Sequence, residues 1–485
     1  MHRHPALHAL TPLTLALLLA GCAVGPDFVP PAPEPVPSYA AGGDPAQAGT
    51  DLQLAGGAAI EAQWWTLYGS PELDALVRQA LDASPSLAAA RARLEQARES
   101  VNAEAGSRLL PAVDADVSGK RQKVDPSAYG VPVAEPPPPF TLYNAQISVS
   151  YTLDIWGANR RAIESAAAAA ERQQHELDAA TRTLAANVVT AALRLAGTRE
   201  QRAALQAEAD AQAQQFDIMQ ARLRAGGVAE RDVSSQAALL AQTRAGLAPL
   251  QLQEDQLRHQ LSVYLGLAPS APLPPLPDWR ALALPAEIPL GVPADLTRRR
   301  PDVLAAEAAW RQAAADVGVA TANLYPRFTL TGAFGSQRTH VGDVADGVNV
   351  WNLGLGLTQP LFQGGALRAR KRGAEAAYRA AAADYRDTAL QAMQQTADAL
   401  RQLERDAQAL AQQRAAEQAA AHAHAIAQAQ WRLGGISEQV LLDAQRDALR
   451  TRQARLQSET ARYTDSAALM HALGGDWRAD DGPAR

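Results

Sequence analysis

Residues 144–153 read Asn-Ala-Gln-Ile-Ser-Val-Ser-Tyr-Thr-Leu. Ala145, Ile147, Val149, Tyr151 and Leu153 fall on one side, and Asn144, Gln146, Ser148, Ser150 and Thr152 on the other. Alternation of period two predicts a strand with one apolar and one wet face. After Asp154-Ile155-Trp156-Gly157, residues 158–225 hold no proline and one glycine, Gly197. Ala, Gln, Glu, Arg and Leu dominate that stretch, and all are good helix formers. Such a helix is roughly 100 Å long, where an ordinary one has about 11 residues. No compact domain needs such a rod.

Working outward, Val113, Ala115 and Val117 alternate with Asp114, Asp116 and Ser118 to predict a partner strand. Pro132 and Pro136 to Pro139 make the connection between the two a stiff loop that cannot pair. Downstream, Gly226-Gly227 turns the chain into a returning helix that ends at Leu265-Gly266. The pattern then starts again. Phe328, Leu330 and Phe334 alternate with polar or small residues, and Trp351, Leu353, Leu355 and Leu357 face one way. Gly364-Gly365 precedes a second proline-free stretch over 366–433, which turns at Gly434-Gly435 and returns to Leu473-Gly474. The spacing from each double glycine to its Leu-Gly is identical, the mark of an internal duplication.

These signals divide the chain into a leader (1–21), a Pro-rich strap (22–60), a first repeat (61–265), a Pro-rich linker (266–294), a second repeat (295–475) and a tail (476–485). Within the first repeat, strands are expected over about 110–119 and 144–155, a long helix over 158–225 and a return helix over 230–265. The second repeats them as strands over about 327–336 and 350–360, a long helix over 366–433 and a return helix over 437–473. Ser70-Pro71-Glu72 opens a helix with a cap, a first-turn proline and an acid. The linker carries Trp279 and several leucines among its eight prolines, which predicts that it packs against something. Ile163, Ala170, Leu177, Leu184 and Ala191, with Val188 and Leu195 beside them, form a heptad seam suited to coiled-coil packing.

Net charge is −6, and −7 once Arg3 leaves with the leader, so nothing favours nucleic acid. Aromatic residues make up only 5% of the chain, which suits thin helix seams better than thick cores. The single cysteine, Cys22, excludes an intrachain disulfide. It ends an apolar stretch, Leu13 to Gly21, too short to span a bilayer as a helix. Leu19-Ala20-Gly21-Cys22 resembles a bacterial lipobox, which implies lipidation at Cys22, and Ala23 after it fits sorting to the outer membrane.

Four one-sided strands leave two solutions. They could stack with their apolar faces together, or several chains could share one membrane cylinder. An open sheet edge is forbidden in a bilayer, and single-chain barrels begin at eight strands. A trimer would supply twelve, wide enough for a lumen. The Ser/Thr/Asn-rich faces suit water inside, the apolar faces suit lipid, and Trp351, Tyr151 and Trp156 stand near strand ends as interfacial aromatics do.

From about Cys22 to Trp477 the chain resembles the TolC-type outer-membrane factors, in particular the lipidated, NodT-like outer-membrane components of RND multidrug efflux systems. The resemblance rests on Trp65 to Leu73, on Tyr151 to Gly157, and on Arg299-Arg300-Pro301-Asp302 with Glu307. Gln359-Pro360-Leu361-Phe362, Leu441 to Arg446 and Ala472 to Gly475 add to it. It implies a mainly α chain with a membrane β-barrel portion, trimeric, forming a twelve-strand barrel and a twelve-helix periplasmic tunnel. It also implies a periplasmic adaptor and an inner-membrane RND-type pump as partners, contacted through the tips Gly226, Gly227, Val228 and Gly434, Gly435, Ile436, Ser437. The glycines are expected at such reversals on backbone grounds in any case. Asp232, Arg432, Glu438, Asp443 and Arg446 are the candidates for ionic links holding the tips shut. Thr152 and Ile436 stand where many relatives carry an acid.

No P-loop, G-x-S-x-G or H-E-x-x-H occurs. His422 and His424 lie two apart and face different sides of a helix, so no catalytic group, cofactor or metal is expected. Arg298 to Arg300 reads as a charged run before a helix. The expected function is a passive exit duct for drugs or other small molecules, opened by splaying of its tips. A trimeric adhesin or stalk is the alternative, and ducts for type I protein secretion or metal efflux are variants of the first.

Overall fold

The computed structural model describes residues 23–30, 36–40, 42–56, 63–124, 126, 130, 138–291 and 293–474. Cys22, the leader, part of the proline loop and the tail lie outside the described residues. In chain order the elements are β1 (Gln53–Gly56), α1 (Pro71–Ala83), α2 (Pro85–Leu109), β2 (Ala112–Gln122), β3 (Phe140–Leu153) and α3 (Ala158–Arg224). Next come α4 (Glu230–Ala245), α5 (Leu247–Tyr264), β4 (Glu287–Leu290), α6 (Pro293–Arg299) and α7 (Pro301–Ala322). β5 (Arg327–Arg338), β6 (Val350–Thr358), α8 (Ala366–Arg432) and α9 (Glu438–Ala472) complete the chain. The two long helices, α3 and α8, have 67 residues each.

One compact unit comprises the described parts of 1–31, 93–173 and 306–385. Its centre is an antiparallel sheet in the order β2-β3-β5-β6. The register places Ala115 opposite Ile147, Ile147 opposite Phe334, and Phe334 opposite Trp351. Opposed residues share a face, so the apolar residues of all four strands form one continuous surface. That surface is bare: Val117 is 82% exposed, Trp351 77% and Leu353 73%. Asp116, Gln146 and Gly335 form part of the opposite face. Among the described residues, β2 and β6 each pair along one edge only.

Residues 23–30 are fastened to this unit. The Val24 amide donates to the Trp156 carbonyl (3.1 Å), and Arg161 donates to Asp27 (2.5 Å). Phe28 meets Trp310 edge-on at 5.2 Å, with Arg311 over its ring at 5.4 Å. Gly25 has φ +104°, and a Cβ there would sit 2.5 Å from Gly318 Cα, so only glycine lets this segment lie so close.

The other unit comprises the described parts of 32–92, 174–305 and 386–485. Its core gathers Trp65, Tyr68, Leu73 and Leu76 with Leu193 and Leu195 of α3 and Leu261 of α5. Ser70 caps α1 by accepting from the Leu73 amide at 3.2 Å. β1 pairs in parallel with β4, Gln53 opposite Glu287. The linker joins the core through Leu282 and Ile288, and Trp279 meets Tyr463 at 5.0 Å.

Here four expectations change. The heptad seam of α3 is not a narrow stripe. From Leu184 to Thr198 nearly every side chain is buried, with Asn187 and Arg194 the exposed exceptions, because several elements pack around the rod at this level. Gly197 permits one of those contacts, since a Cβ would fall 2.3 Å from Thr460 Oγ1. The return helix expected over 230–265 is two, α4 and α5, joined at Gly246. The nearest side chain there is Leu205, 3.1 Å from where a Cβ would stand. Strand limits shift as well, β2 to 112–122 and β3 to 140–153. Finally, Arg300 is no solvated charge before a helix but a buried clasp. It donates to Asp302 (3.0 Å), to the Gln395 side chain (2.8 Å) and to the Ala472 carbonyl (3.1 Å). A second buried arginine, Arg462, ties the strap to α9 by donating to the Ala48 carbonyl (2.6 Å) and pairing with Asp51.

Candidate functional site: paired helix turns and a strand–helix junction

Both long helices end in the same turn. The Gly227 amide reaches back to the Arg222 carbonyl (2.8 Å) and the Gly226 amide to that of Leu223 (2.9 Å). Gly435 and Gly434 bond identically to Gln430 (2.8 Å) and Trp431 (2.9 Å). This is the Schellman arrangement, with the left-handed residue just past the helix. Gly226 (φ +70°) and Gly434 (φ +73°) supply that conformation. Gly227 and Gly435 do not have positive φ, which corrects the expectation for the second glycine of each pair. A Cβ on them would stand 3.5 Å from the Arg222 carbonyl oxygen and 3.4 Å from that of Gln430, an ordinary to tight contact.

All four tip glycines are exposed, and Val228 and Ile436 are half-buried. Ser437 occupies the position before α9, yet its side chain makes no capping bond. Of the charged candidates, Asp443 and Arg446 pair at 3.0 Å, but both lie on α9 and both are exposed. Such a pair contributes little and spans no gap between tips. Asp232 pairs with its own neighbour Arg231 (3.3 Å), and Arg432 points into solvent. No candidate cation reaches a candidate carboxylate on the other tip.

What the structure does bring together is Asp232 and Glu438, where α4 packs on α9. Glu438 is 8% exposed, and its Oε1 has no hydrogen-bond partner. Burial, then the nearby Asp232 charge, push its pKa up, while the Trp431 indole, Arg222 and Gln215 pull the other way. Arg222 lies over the Trp431 ring at 5.3 Å. Sequence reading missed Trp431, Arg222 and Gln215. The signal available was a lone Trp in the last turn of one long helix where its copy has Leu223.

The sign follows from linkage. A carboxyl group raised in the packed tip holds its proton more tightly there, so tip packing weakens as pH rises from the ordinary carboxylate range through the raised value. Glu438→Gln should therefore tighten the tips at neutral pH and flatten this dependence. Hydrogen exchange of residues 222–240 and 430–442 checks it: exchange should slow several-fold in the variant at pH 7 and match wild type at pH 4.

The second feature is the junction of β3 with α3. Asp154 accepts from the amides of Asn159 and Arg160 (2.9 Å each), a carboxylate on orphan amides at the positive helix end. Trp156 stacks on Tyr325 (4.7 Å) and donates to the Pro326 carbonyl (2.9 Å), so it serves packing. Beside it lies a polar cavity of about 630 Å³, lined in part by Arg108, Thr152, Asn159, Asn323, Arg327 and Gln363. Nothing in its lining pairs a nucleophile with a base, and among the described residues no three His, Cys, Asp or Glu side chains gather to hold a metal.

The chain is thus a duplicated strand–rod–turn protein, mainly helical, with one bare apolar sheet face. The chain belongs to the outer membrane efflux protein family, whose model matches residues 76–267 and 292–475. It is 30% identical over 420 residues to the pyoverdine export outer membrane protein OpmQ of Pseudomonas aeruginosa, covering 86% of this chain and 88% of that protein. To the outer membrane protein OprJ of the same organism it is 29% identical over 487 residues, 98% of this chain and 97% of that one. Among solved structures it is similar to the outer-membrane channel OprN, with a TM-score of 0.85 and 30% identity over 94% of this chain and all of that one. The family is one of efflux channels, not enzymes.

Proposed function

We propose that this chain is the outer-membrane duct of a tripartite efflux system. Three copies each give four strands to a twelve-strand barrel and four helical strands of the wall to a twelve-helix periplasmic tunnel, anchored in addition by lipid on Cys22. The observation that carries the reading is the open sheet. Its apolar surface is bare and, among the described residues, both outer edges are unpaired, a state no bilayer tolerates unless identical neighbours close the ring. The wet faces then line the lumen. Conduction is passive, because the chain carries no nucleotide-binding motif. Energy and selection come from an inner-membrane RND-type pump, joined through a periplasmic adaptor that docks on Gly226 to Val228 and Gly434 to Ser437. The duct opens when the tips splay, and the contact of Asp232, Glu438, Trp431 and Arg222 is the packing that must give way.

Planar-bilayer recording tests this. Wild type should show rare, small openings, and deleting the Trp431 side chain (Trp431→Ala) should raise open time severalfold. A protein silent in both forms, though inserted, belongs with the stalk-like reading instead.

A further inference from the structure

The two copies of the strand–helix junction differ in how they neutralise charge. In the first, Asp154 stands four residues before α3 and pairs with Arg160 at 3.3 Å. Arg161 is held by Asp27 (2.5 Å) and Glu164 (2.8 Å). In the second, the residue four before α8 is Phe362, and the first turn of α8 contains no acid. Arg368, Arg370, Lys371 and Arg372 follow within five residues. Lys371 alone has a partner, Glu375 at 3.6 Å. The three arginines are exposed and, among the described residues, pair with no carboxylate. Cations crowd the positive end of a helix dipole, where they destabilise the helix. Among the described residues, no carboxylate offsets that for the three arginines.

Directly before them the chain is apolar and bare. Leu353, Leu355 and Leu357 lie on the exposed sheet face, and Leu361 (93%) and Phe362 (89%) continue it to the helix. At 1.5 Å per residue the arginines begin about 3 Å and end about 9 Å beyond the helix start. That depth matches the headgroup layer flanking a hydrocarbon core. Arg368 and Arg372 share one side of the helix and Arg370 lies on the opposite side, so in the wall of a tunnel only one of these sides can meet lipid. We infer that the paired arginines, Arg368 and Arg372, bind the phosphates of anionic phospholipid headgroups in the leaflet on the helix side of the barrel. The pair fixes the depth of each copy in the membrane, as Asp154 and Asp27 fix the other junction within the protein. This rests on the membrane reading of the sheet.

The test uses the full chain in phosphatidylcholine vesicles doped with spin-labelled phosphatidylglycerol or spin-labelled phosphatidylcholine. Wild type should hold the anionic label in preference, and molar salt should erase the preference. The variant R368Q/R372Q should lose about fivefold in selectivity per arginine removed, whereas R368K/R372K should keep most of it. Wild type that inserts yet shows no selectivity, or a glutamine variant that retains it, overturns the headgroup assignment alone. A glutamine variant that keeps selectivity but falls apart into single copies assigns the arginines to a neighbouring chain and overturns it too. Wild type that fails to float with the vesicles removes the membrane reading and this proposal together.

Discussion

Arg300→Met should lower stability by about 3 kcal/mol, the low end for breaking a buried charge pair. Arg300 is 7% exposed, and its guanidinium joins Asp302, Gln395 of α8 and the end of α9 at Ala472. Methionine fills part of the space but donates nothing, so three acceptors each lose a donor, although Asp302 keeps the Val303 amide and the Ala472 carbonyl keeps the Thr396 hydroxyl. Asp302 keeps some water, and that holds the loss below the upper end of the range. Burial alone would raise the Asp302 pKa, but the hydrogen bonds and charge of Arg300 overcome it and hold the carboxyl below its usual value. A depressed acid contributes stability that is present above the ordinary aspartate range and is lost as pH falls through the folded value. The variant should therefore show a lower melting midpoint at pH 7 and a shallower loss on acidification, both read by helix circular dichroism in mild detergent. An unchanged midpoint would return Arg300 to the solvated run that the bare sequence suggests.

Gly335→Val should be more damaging still, and here the cause is steric. A Cβ at Gly335 would fall 2.3 Å from the Ala145 carbonyl oxygen and 2.6 Å from Gln146 Cα. These are backbone atoms of the paired strand and cannot swing aside. The β3–β5 ladder must separate locally, at a cost of about 3 kcal/mol or more. Gly356→Ala is the control, since nothing lies closer than 3.7 Å to a Cβ there. Membrane-inserted oligomer, counted after extraction, should vanish for Gly335→Val and persist for Gly356→Ala.

The strands and rods were legible because they depend on local signals. Alternation over 144–153 and the lack of proline over 158–225 describe elements that form with little regard to their neighbours. The register was not legible as pairs, yet a strict alternation leaves few choices once one face must be continuous. What escaped was contact between distant segments. Arg300 reads as charge until Asp302, Gln395 and Ala472 surround it, and Arg462 reads as one more helix arginine until Ala48 and Asp51 arrive from the strap. The pairing of β1 with β4 joins two Pro-rich stretches whose composition suggests no sheet. The tip acids show the same limit. Asp443 and Arg446 are sequence candidates for links between tips, and within this chain their i,i+3 spacing pairs them with each other along one helix. Glu438 instead lies buried beside a tryptophan that sequence did not single out.

The proposed duct rests on a sheet with one bare apolar face and, among the described residues, two free edges, which on that proposal takes copies of itself to become a wall. Sedimentation of the purified chain in mild detergent, with bound detergent subtracted, measures the number of copies directly. Three polypeptides per particle is the predicted result. A particle containing one polypeptide, with helices and strands intact, would contradict the account.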